Sequence, residues 1–245
     1  MEIKNAVALV TGANGGIGKH YIEVLRAMGA ARIYAGARNP NSLSDLAALD
    51  PQRIIPIPLD ITDEQSVSAA ASKYSDLNLL INNAGIGLLK GFISATDLKS
   101  ARAEMEVNYF GTLAMCRAFA PILKANAGGA IINMLSILGK VNFPINASYG
   151  ASKAAAILMT QGVRAELAAQ GTLVVGVMPA TVDTEGSKNF PPPKVAPEIV
   201  AKEALQAVID RVEDVYPGEQ AKEMAAQLLK DPKALEKMMA MMLPK

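Results

Sequence analysis

Short runs of consecutive apolar residues alternate along the chain with longer segments whose apolar positions recur at helical spacing. Consecutive apolar positions are typical of strands that are covered on both faces of a sheet. The runs predicted as strands are Ala6–Val10, Arg32–Ala35, Arg53–Leu59, Leu77–Ile81, Ala130–Leu135, Thr172–Met178 and a short seventh, Asp214–Tyr216. Helices are predicted over residues 16–29, 41–49, 63–75, 97–126, 148–170 and 196–213, and over the tail from Gly218 to Leu243.

This alternation of strands and helices predicts the fold class. A strand, a helix and a further strand form a parallel pair with a right-handed crossover. Repetition of that unit predicts an α/β fold, a Rossmann-type doubly wound parallel sheet of about seven strands with helices on both faces. No linker, repeat or low-complexity tract divides the chain, so residues 1–245 are expected to form a single domain.

Composition narrows the classes of function. Of the 245 residues, 51% are hydrophobic and 19% are charged, which excludes a disordered chain. A net charge of +1 argues against nucleic acid as a partner, and no apolar run approaches the length of a membrane span. A cytoplasmic protein is therefore expected. One cysteine, Cys116, and one histidine, His20, exclude an internal disulfide and a multi-histidine metal site, so no metal is expected.

A glycine-rich segment follows the first predicted strand and leads into a helix. Glycines stand at Gly12, Gly16 and Gly18, directly after Thr11. Glycine permits a tight turn and a close approach of the backbone to a phosphate, and the N-terminus of the next helix offers unpaired N–H groups. The strand–loop–helix context predicts a dinucleotide-binding site at this turn.

The order of several motifs along the chain resembles the short-chain dehydrogenase/reductase family, and in particular its short, single-domain NADPH-dependent carbonyl reductases. The matching segments are T-G-x-x-x-G-x-G at 11–18, Asp60 after the third strand, N-N-A-G at 82–85, Asn108, Ser136, Y-x-x-x-K at 149–153 and a P-G-x-x-x-T-like segment at 179–184. The resemblance runs over almost the whole chain. One departure is Ala180, where the family usually has glycine.

Tyr149 and Lys153 lie four residues apart and share one helix face. A free tyrosine, with a pKa near 10, is a poor acid or base at neutral pH, and a nearby ammonium group lowers that pKa. The resemblance implies that Tyr149 exchanges a proton with the substrate oxygen and that Lys153 lowers the Tyr149 pKa and holds the nicotinamide ribose. It also implies that Ser136 hydrogen-bonds the substrate oxygen and that Asn108 holds a water molecule beside Lys153. Asn108 could also be a helix-kink residue that caps a backbone group, and the two roles are compatible.

The resemblance also implies a set of cofactor-binding residues. They are Gly12, Asn14, Gly16, Ile17, Gly18, Arg38, Asp60, Ile61, Asn82, Ala84, Gly85, Tyr149, Lys153, Pro179, Val182 and Thr184. Asn82 could instead tie neighbouring strands together, and Thr184 could be the N-cap of a short helix. Ala37 stands where NAD-dependent members have an aspartate, and Arg38 follows it. A guanidinium can bind the 2′-phosphate, so NADPH is the expected cofactor and NADH is less favoured, unless Arg38 is only a solvated loop residue.

Residues beside the catalytic positions are expected to line the substrate pocket. They are Leu88, Ile137, Leu138, Phe143, Ala180 and Phe190. This apolar set predicts that a small-molecule ketone or aldehyde with aliphatic or aryl groups is reduced to an alcohol, and the reverse. Asp183, Glu185 and Lys188 are expected to face solvent.

Two other functions remain open. A non-catalytic dinucleotide-binding sensor or regulator would not need the acid–base pair. A sugar-nucleotide epimerase or dehydratase of the extended branch would need more chain after the sixth strand.

A homotetramer is expected, with a dimer possible, because the helices predicted over 97–126 and 152–170 carry surplus apolar positions. The candidates are Leu113, Met115, Ala118, Phe119, Ile157, Leu158 and Val163. Alternatively, all of them face the sheet.

Overall fold

The computed structural model describes residues 1–243. Its centre is a parallel sheet of seven strands in the order β3-β2-β1-β4-β5-β6-β7. The strands are β1 (Val7–Thr11), β2 (Arg32–Ala37), β3 (Ile54–Pro58), β4 (Leu79–Asn82), β5 (Ala130–Met134), β6 (Leu173–Val177) and β7 (Asp214–Val215). The helices are α1 (Gly16–Ala27), α2 (Ser44–Ala48), α3 (Glu64–Lys73), α4 (Lys99–Met105), α5 (Thr112–Ala125), α6 (Ala147–Leu167), α7 (Pro197–Asp210), α8 (Glu219–Lys230) and α9 (Pro232–Ala240).

Helices cover both faces of the sheet, which confirms the doubly wound fold class. On one face, Leu25 of α1 and Leu205 of α7 are completely buried in the same core cluster. On the other face, Val67 of α3 and Phe119 of α5 belong to a second cluster. Each strand in the middle of the sheet is buried on both sides, which explains why its sequence is apolar at consecutive positions.

The strand order reverses beside β1, and this reversal positions the candidate site. β1 pairs with β2 on one side and with β4 on the other. The chain leaves β1 and β4 in different directions, so a crevice opens at their carboxyl ends, where α/β proteins bind their ligands. Thr11 and Asn82 are the last residues of these two strands.

The helix predicted over residues 97–126 is interrupted in the structure. A π-helical segment, Glu106–Gly111, separates α4 from α5. The side chain of Asn108 leaves the helix within this segment and bonds the backbone of Ile86 in both directions. A wider turn of this kind often occurs at functional sites, and its position is not visible in the apolar periodicity.

Two other predicted helices also differ from the structure. The helix expected over 41–49 is a 3-10 turn, Pro40–Leu43, followed by the short α2. The tail is two helices, because Pro232 has no N–H to continue α8. Asp231 begins the new helix, since its Oδ1 accepts a hydrogen bond of 2.9 Å from the N–H of Ala234.

The surplus apolar residues of the middle helices fall into two groups. Met115, Phe119 and Ile157 are buried within the chain, so they face the core rather than a partner. Leu158 is 69% exposed. The remaining candidates, Leu113, Ala118 and Val163, are partly buried.

Candidate active site

The glycine loop after β1 is built so closely that side chains would not fit. Gly12 has a φ of +61°, and a Cβ atom on it would lie 2.9 Å from the Cα of Ala84. A Cβ on Gly18 would lie 2.2 Å from the backbone oxygen of Gly12, and one on Gly16 would lie 2.6 Å from Cγ2 of Thr184. The loop after β1 therefore touches both the loop after β4 and the loop after β6.

Helix α1 begins directly at this loop. Its N-cap, Gly15, has no side chain to satisfy the first backbone N–H groups. These groups and the positive end of the helix are suited to an anionic phosphate. Asn14 is exposed at the loop, whereas Ile17 is partly buried and packs against the core beneath.

The loop after β4 is fastened to the glycine loop by Thr11 and Asn83. Thr11 Oγ1 accepts hydrogen bonds of 3.0 Å from the N–H groups of Asn83 and Ala84. Asn83 Nδ2 donates to the backbone oxygens of Thr11 and Gly12, at 2.9 and 3.1 Å. Asn83 is not among the cofactor-binding residues predicted from the sequence, although its position inside the N-N-A-G motif indicates a role at this loop.

Asn82, the last residue of β4, has a buried side chain. It is 3% exposed, and its Nδ2 donates a 2.9 Å hydrogen bond to Oδ1 of Asn133 on β5. Asn133 in turn donates to Thr160 of α6 at 3.0 Å. This geometry agrees with the alternative interpretation that Asn82 ties neighbouring strands together. Cys116 is buried beside Asn82, and its Sγ atom lies 3.4 Å from Asn82 Nδ2.

Three of the expected catalytic residues meet beyond the carboxyl end of β5. Ser136 follows β5, is 4% exposed, and its Oγ accepts a hydrogen bond from the N–H of Leu138. Tyr149 and Lys153 lie on α6, and the Lys153 Nζ is 5.7 Å from the centre of the Tyr149 ring. Lys153 Nζ donates a 2.7 Å hydrogen bond to the backbone oxygen of Met134.

The pKa values in this cluster differ from the sequence-based expectation. Burial raises the pKa of Tyr149 to about 12, while hydrogen bonding with Ser136 lowers it and the charge of Glu104 raises it. Burial lowers the pKa of Lys153 to about 8. Loss of solvation is the largest effect on both groups, and on Tyr149 it opposes the lowering of the pKa that the resemblance implies. Tyr149 is held in the protonated form that a general acid needs.

Asn108 adjoins this cluster from the π-helical segment. It is 1% exposed, and its Nδ2 also donates a 2.9 Å hydrogen bond to Ser152 Oγ. A Cβ on Gly85 would lie 3.0 Å from Asn108 Oδ1 and 3.3 Å from Lys153 Nζ, so a side chain at this position would crowd both groups. Asn108 caps the backbone of the loop after β4, as the alternative interpretation of this residue expects.

Arg38 and Asp60 lie at the carboxyl ends of β2 and β3. Ala37 is buried and Arg38 is exposed. Asp60 Oδ1 accepts hydrogen bonds from the N–H and the hydroxyl of Thr62, and these bonds, together with the nearby charge of Arg38, lower the pKa of Asp60. The neighbouring Ile61 is 7% exposed and packs against Gly111.

The residues expected around the substrate do not all line the cleft. Ile137 has no exposed surface, so its side chain is packed inside the protein and does not face the cleft. Leu138 and Phe143 are partly buried against a cluster that includes Leu235 and Met239 of α9. The C-terminal tail is thus a neighbour of the site.

The other residues expected around the substrate are Phe190, Leu88 and Ala180. The ring centres of Phe143 and Phe190 are 6.2 Å apart. Leu88 is 41% exposed, and Ala180 is partly exposed.

The segment after β6 returns to the glycine loop. Pro179 is buried, and Val182 forms a bridge with Val195 that closes the base of the following loop. Thr184 is the N-cap of a 3-10 turn and forms a capping box with Ser187. Asp183, Glu185 and Lys188 are all exposed, as the sequence predicts.

No helix within residues 1–243 is long and apolar enough to cross a bilayer. No three histidine, cysteine, aspartate or glutamate side chains there are grouped in a way that could hold a metal ion.

Comparison with known proteins identifies relatives of this chain. Short chain dehydrogenase mpl6 of Monascus purpureus is 36% identical over 194 residues, which are 74% of this chain and 66% of that protein. The match thus spans just under two thirds of that relative's length. A short chain dehydrogenase from Burkholderia cenocepacia, solved in complex with NADP, is 47% identical, with a TM-score of 0.93 and coverage of 100% of both chains. A short chain dehydrogenase/reductase from Burkholderia phymatum, solved in complex with NAD, shares the fold at 22% identity, with a TM-score of 0.83 and coverage of 96% of each chain.

The sequence model of a family described as short chain dehydrogenase matches residues 6–194. That region contains the glycine loop, the loop after β4, Ser136, the Tyr149–Lys153 pair and the segment after β6. Because the match covers well over half of the chain, the protein belongs to the short-chain dehydrogenase/reductase family.

Proposed function

We propose that the protein is an NADPH-preferring oxidoreductase that reduces a ketone or aldehyde to an alcohol, and catalyses the reverse reaction. The observation that carries the proposal is the meeting of Ser136, Tyr149 and Lys153 beside the glycine loop. Tyr149 is coupled to Ser136 by hydrogen bonding, and Lys153 Nζ is 5.7 Å from the Tyr149 ring. A proton donor and a second hydroxyl therefore converge where a substrate oxygen can be bound.

The glycine loop fits a dinucleotide. Side chains at Gly12 or Gly18 would collide with backbone atoms, so these glycines allow the tight turn that brings the backbone to the start of α1. The uncapped start of α1 offers N–H groups for the phosphates. When bound, the nicotinamide cofactor supplies the hydride.

The protein supplies the proton and stabilises the charge through Tyr149, Ser136 and Lys153. Tyr149 is protonated at neutral pH because burial raises its pKa to about 12, so it can donate a proton to the substrate oxygen in the reduction. Ser136 donates a hydrogen bond to the same oxygen and stabilises negative charge that develops there. Lys153, fixed by its bond to Met134, presents a cation beside Tyr149 and would hold the ribose of a bound cofactor.

The preference for NADPH rests on the end of β2. Ala37 offers no carboxylate to accept from ribose hydroxyls, and Arg38 is exposed beside Asp60. A guanidinium can form paired hydrogen bonds with a 2′-phosphate. The relative from Burkholderia cenocepacia, solved with NADP, supports this choice more than the more distant one solved with NAD.

The apolar surroundings of the cleft favour a substrate with aliphatic or aryl groups. Leu138, Phe143 and Phe190 present no cation that would clamp a phosphate or a carboxylate. A homotetramer, in which exposed apolar residues such as Leu158 are covered by a second copy, completes the proposal.

Turnover of the purified protein tests the proposal. NADPH consumption is followed by absorbance with a panel of ketones and aldehydes, and NADP reduction is followed with the matching alcohols. We expect turnover with apolar carbonyl compounds. Cofactor binding without turnover on the whole panel would overturn the proposal and favour a dinucleotide-binding sensor.

A further inference from the structure

A five-residue segment after β4 passes over the catalytic tyrosine. We name residues 86–90 the strap. Ile86 is held by Asn108, whose Oδ1 accepts from the Ile86 N–H at 2.9 Å and whose Nδ2 donates to the Ile86 oxygen at 2.8 Å. Leu89, which has a φ of +54°, donates its N–H to Asn146 Oδ1 at 3.2 Å. Side chains from two other elements therefore hold the backbone of the strap.

The strap also contacts the beginning of α6. The backbone oxygen of Lys90 accepts hydrogen bonds from the N–H groups of Ala147 and Ser148, at 2.9 and 3.4 Å, in the first turn of that helix. A Cβ on Gly87 would lie 3.2 Å from Cδ2 of Tyr149, so the backbone of the strap rests against the tyrosine ring. Movement of the strap would thus displace the first turn of α6, which carries Tyr149, and the tyrosine ring itself.

Glu104 of α4 holds the centre of the strap. Its Oε1 accepts a 2.7 Å hydrogen bond from the N–H of Leu88. The residue has no exposed surface, and its Oε2 is buried without a hydrogen-bond partner among residues 1–243. A buried carboxylate oxygen without a partner lowers the free energy of unfolding. The presence of Glu104 is therefore not explained by stability alone.

We propose that Glu104 is a positioning residue, which holds the strap against Tyr149 through the N–H of Leu88 and so fixes the proton donor and one wall of the substrate cleft. This inference deepens the proposed function and rests on it. Because both carboxylate oxygens are buried, Glu104 does not touch the substrate, and its positioning effect is exerted through the strap. Its charge is also a smaller cause of the raised pKa of Tyr149, after burial.

The test uses two substitutions of Glu104 and one matched control. Glu104→Met has a similar length but no acceptor, whereas Glu104→Gln keeps an acceptor oxygen for the Leu88 N–H. Glu106→Met is the control, because Glu106 is exposed two residues further along the chain. Amide hydrogen exchange of peptides that contain the strap, read by mass spectrometry, reports on positioning without any turnover. The dissociation constant for NADPH and the kcat with a ketone are measured on the same proteins.

We expect Glu104→Met to speed exchange in the strap by about tenfold, as loss of a charge-assisted hydrogen bond would. Its kcat should fall by roughly 10- to 100-fold, the size of effect that follows a small displacement of a catalytic group. The NADPH dissociation constant should stay within about twofold of the wild type, since the glycine loop is untouched. Glu104→Gln should restore slow exchange and most of kcat, and Glu106→Met should resemble the wild type.

Unchanged strap exchange in Glu104→Met would overturn the inference. Equal losses in Glu104→Gln and Glu104→Met would also overturn it, because the charge rather than the acceptor would then matter. If the wild type turns over no substrate, the proposed function fails. The hydrogen-exchange measurement still tests whether Glu104 holds the strap, because it needs no turnover.

A second variant covers the case in which Glu104→Met does not fold. Gly87→Ala places a methyl group 3.2 Å from Cδ2 of Tyr149 and keeps Glu104 itself unchanged. We expect this methyl group to push the strap from the ring and to lower kcat without changing NADPH affinity. A wild-type kcat in Gly87→Ala would contradict the inference that the position of the strap controls Tyr149.

Discussion

The Nζ of Lys153 donates a hydrogen bond of 2.7 Å to the backbone oxygen of Met134, the last residue of β5. Met134 is held in turn by α1, since its Sδ accepts a hydrogen bond of 3.0 Å from the buried hydroxyl of Tyr21. The ammonium group of Lys153 is therefore fixed to the sheet rather than free to follow Tyr149. It remains at a place where burial lowers its pKa to about 8.

This burial predicts how the stability of the protein depends on pH. An unfolded lysine has a pKa near 10.4, so between about pH 8 and pH 10 the unfolded state binds more protons at Lys153 than the folded state does. The free-energy cost of burying Lys153 therefore falls as the pH rises through this interval, and the folded state becomes more stable. We expect the melting temperature of the wild type to rise, relative to that of Lys153→Met, from pH 8 to pH 10.

The measurement is the difference in melting temperature at each pH, in which effects common to both proteins cancel. Lys124→Met is the control, since Lys124 is exposed on α5 and its substitution should give a constant difference. A difference between the wild type and Lys153→Met that does not change with pH would show that Lys153 keeps an ordinary pKa.

Tyr149→Phe tests the proton donor. The substitution removes only the hydroxyl, so NADPH should bind with a dissociation constant within about twofold of the wild type. The kcat should fall by about 10²- to 10⁴-fold, the usual contribution of general acid catalysis. Steady-state turnover and fluorescence titration measure the two quantities. Tyr74→Phe, at the end of α3, serves as the control, and a kcat of Tyr149→Phe within about tenfold of the wild type would contradict the assignment.

Arg38→Ala tests the choice of cofactor. Loss of the guanidinium should raise KM for NADPH by about 10-fold or more and leave KM for NADH nearly unchanged, because only NADPH carries the 2′-phosphate. Arg102→Ala is the control, since Arg102 is exposed on α4. Equal effects of Arg38→Ala on the two cofactors would refute the role of Arg38.

Ala37→Asp tests the same edge of the sheet from the opposite direction. A carboxylate at this position should repel the 2′-phosphate and accept from the ribose hydroxyls of NADH, so the preference should reverse. Ala37 is buried at the end of β2, so the melting temperature is measured beside kcat/KM. A folded variant that still prefers NADPH would argue against this interpretation of the end of β2.

Leu158→Arg tests the homotetramer. Leu158 is 69% exposed on α6, and a charge in an apolar contact between copies should separate them. Light scattering should give four times the chain mass of 25.7 kDa for the wild type and a smaller mass for the variant. Leu229→Arg is the control, because Leu229 is 91% exposed on α8. A wild-type mass near 25.7 kDa would remove the prediction.

Local patterns in the sequence were enough to predict most of the fold and the positions of the main motifs. Consecutive apolar residues indicate a covered strand, because each residue of a strand in the middle of the sheet meets a helix layer on one face or the other. Gly18 is required by close contacts within the turn itself, and Gly12 has a positive φ there. Tyr149 and Lys153 share a helix face because they are four residues apart. Each of these inferences depends on neighbours along the chain.

The tertiary structure alone decided which of these groups are buried and what they contact. Ile137 is enclosed and Glu104 is drawn under the strap, although nothing near either residue in the sequence distinguishes it from an exposed one. The tail returns to the site because Leu235 and Met239 pack beside Leu138, far away in the sequence. Burial depends on every segment that packs around a group, so the raised pKa of Tyr149 is a property of the assembled fold and not of the Tyr149–Lys153 spacing.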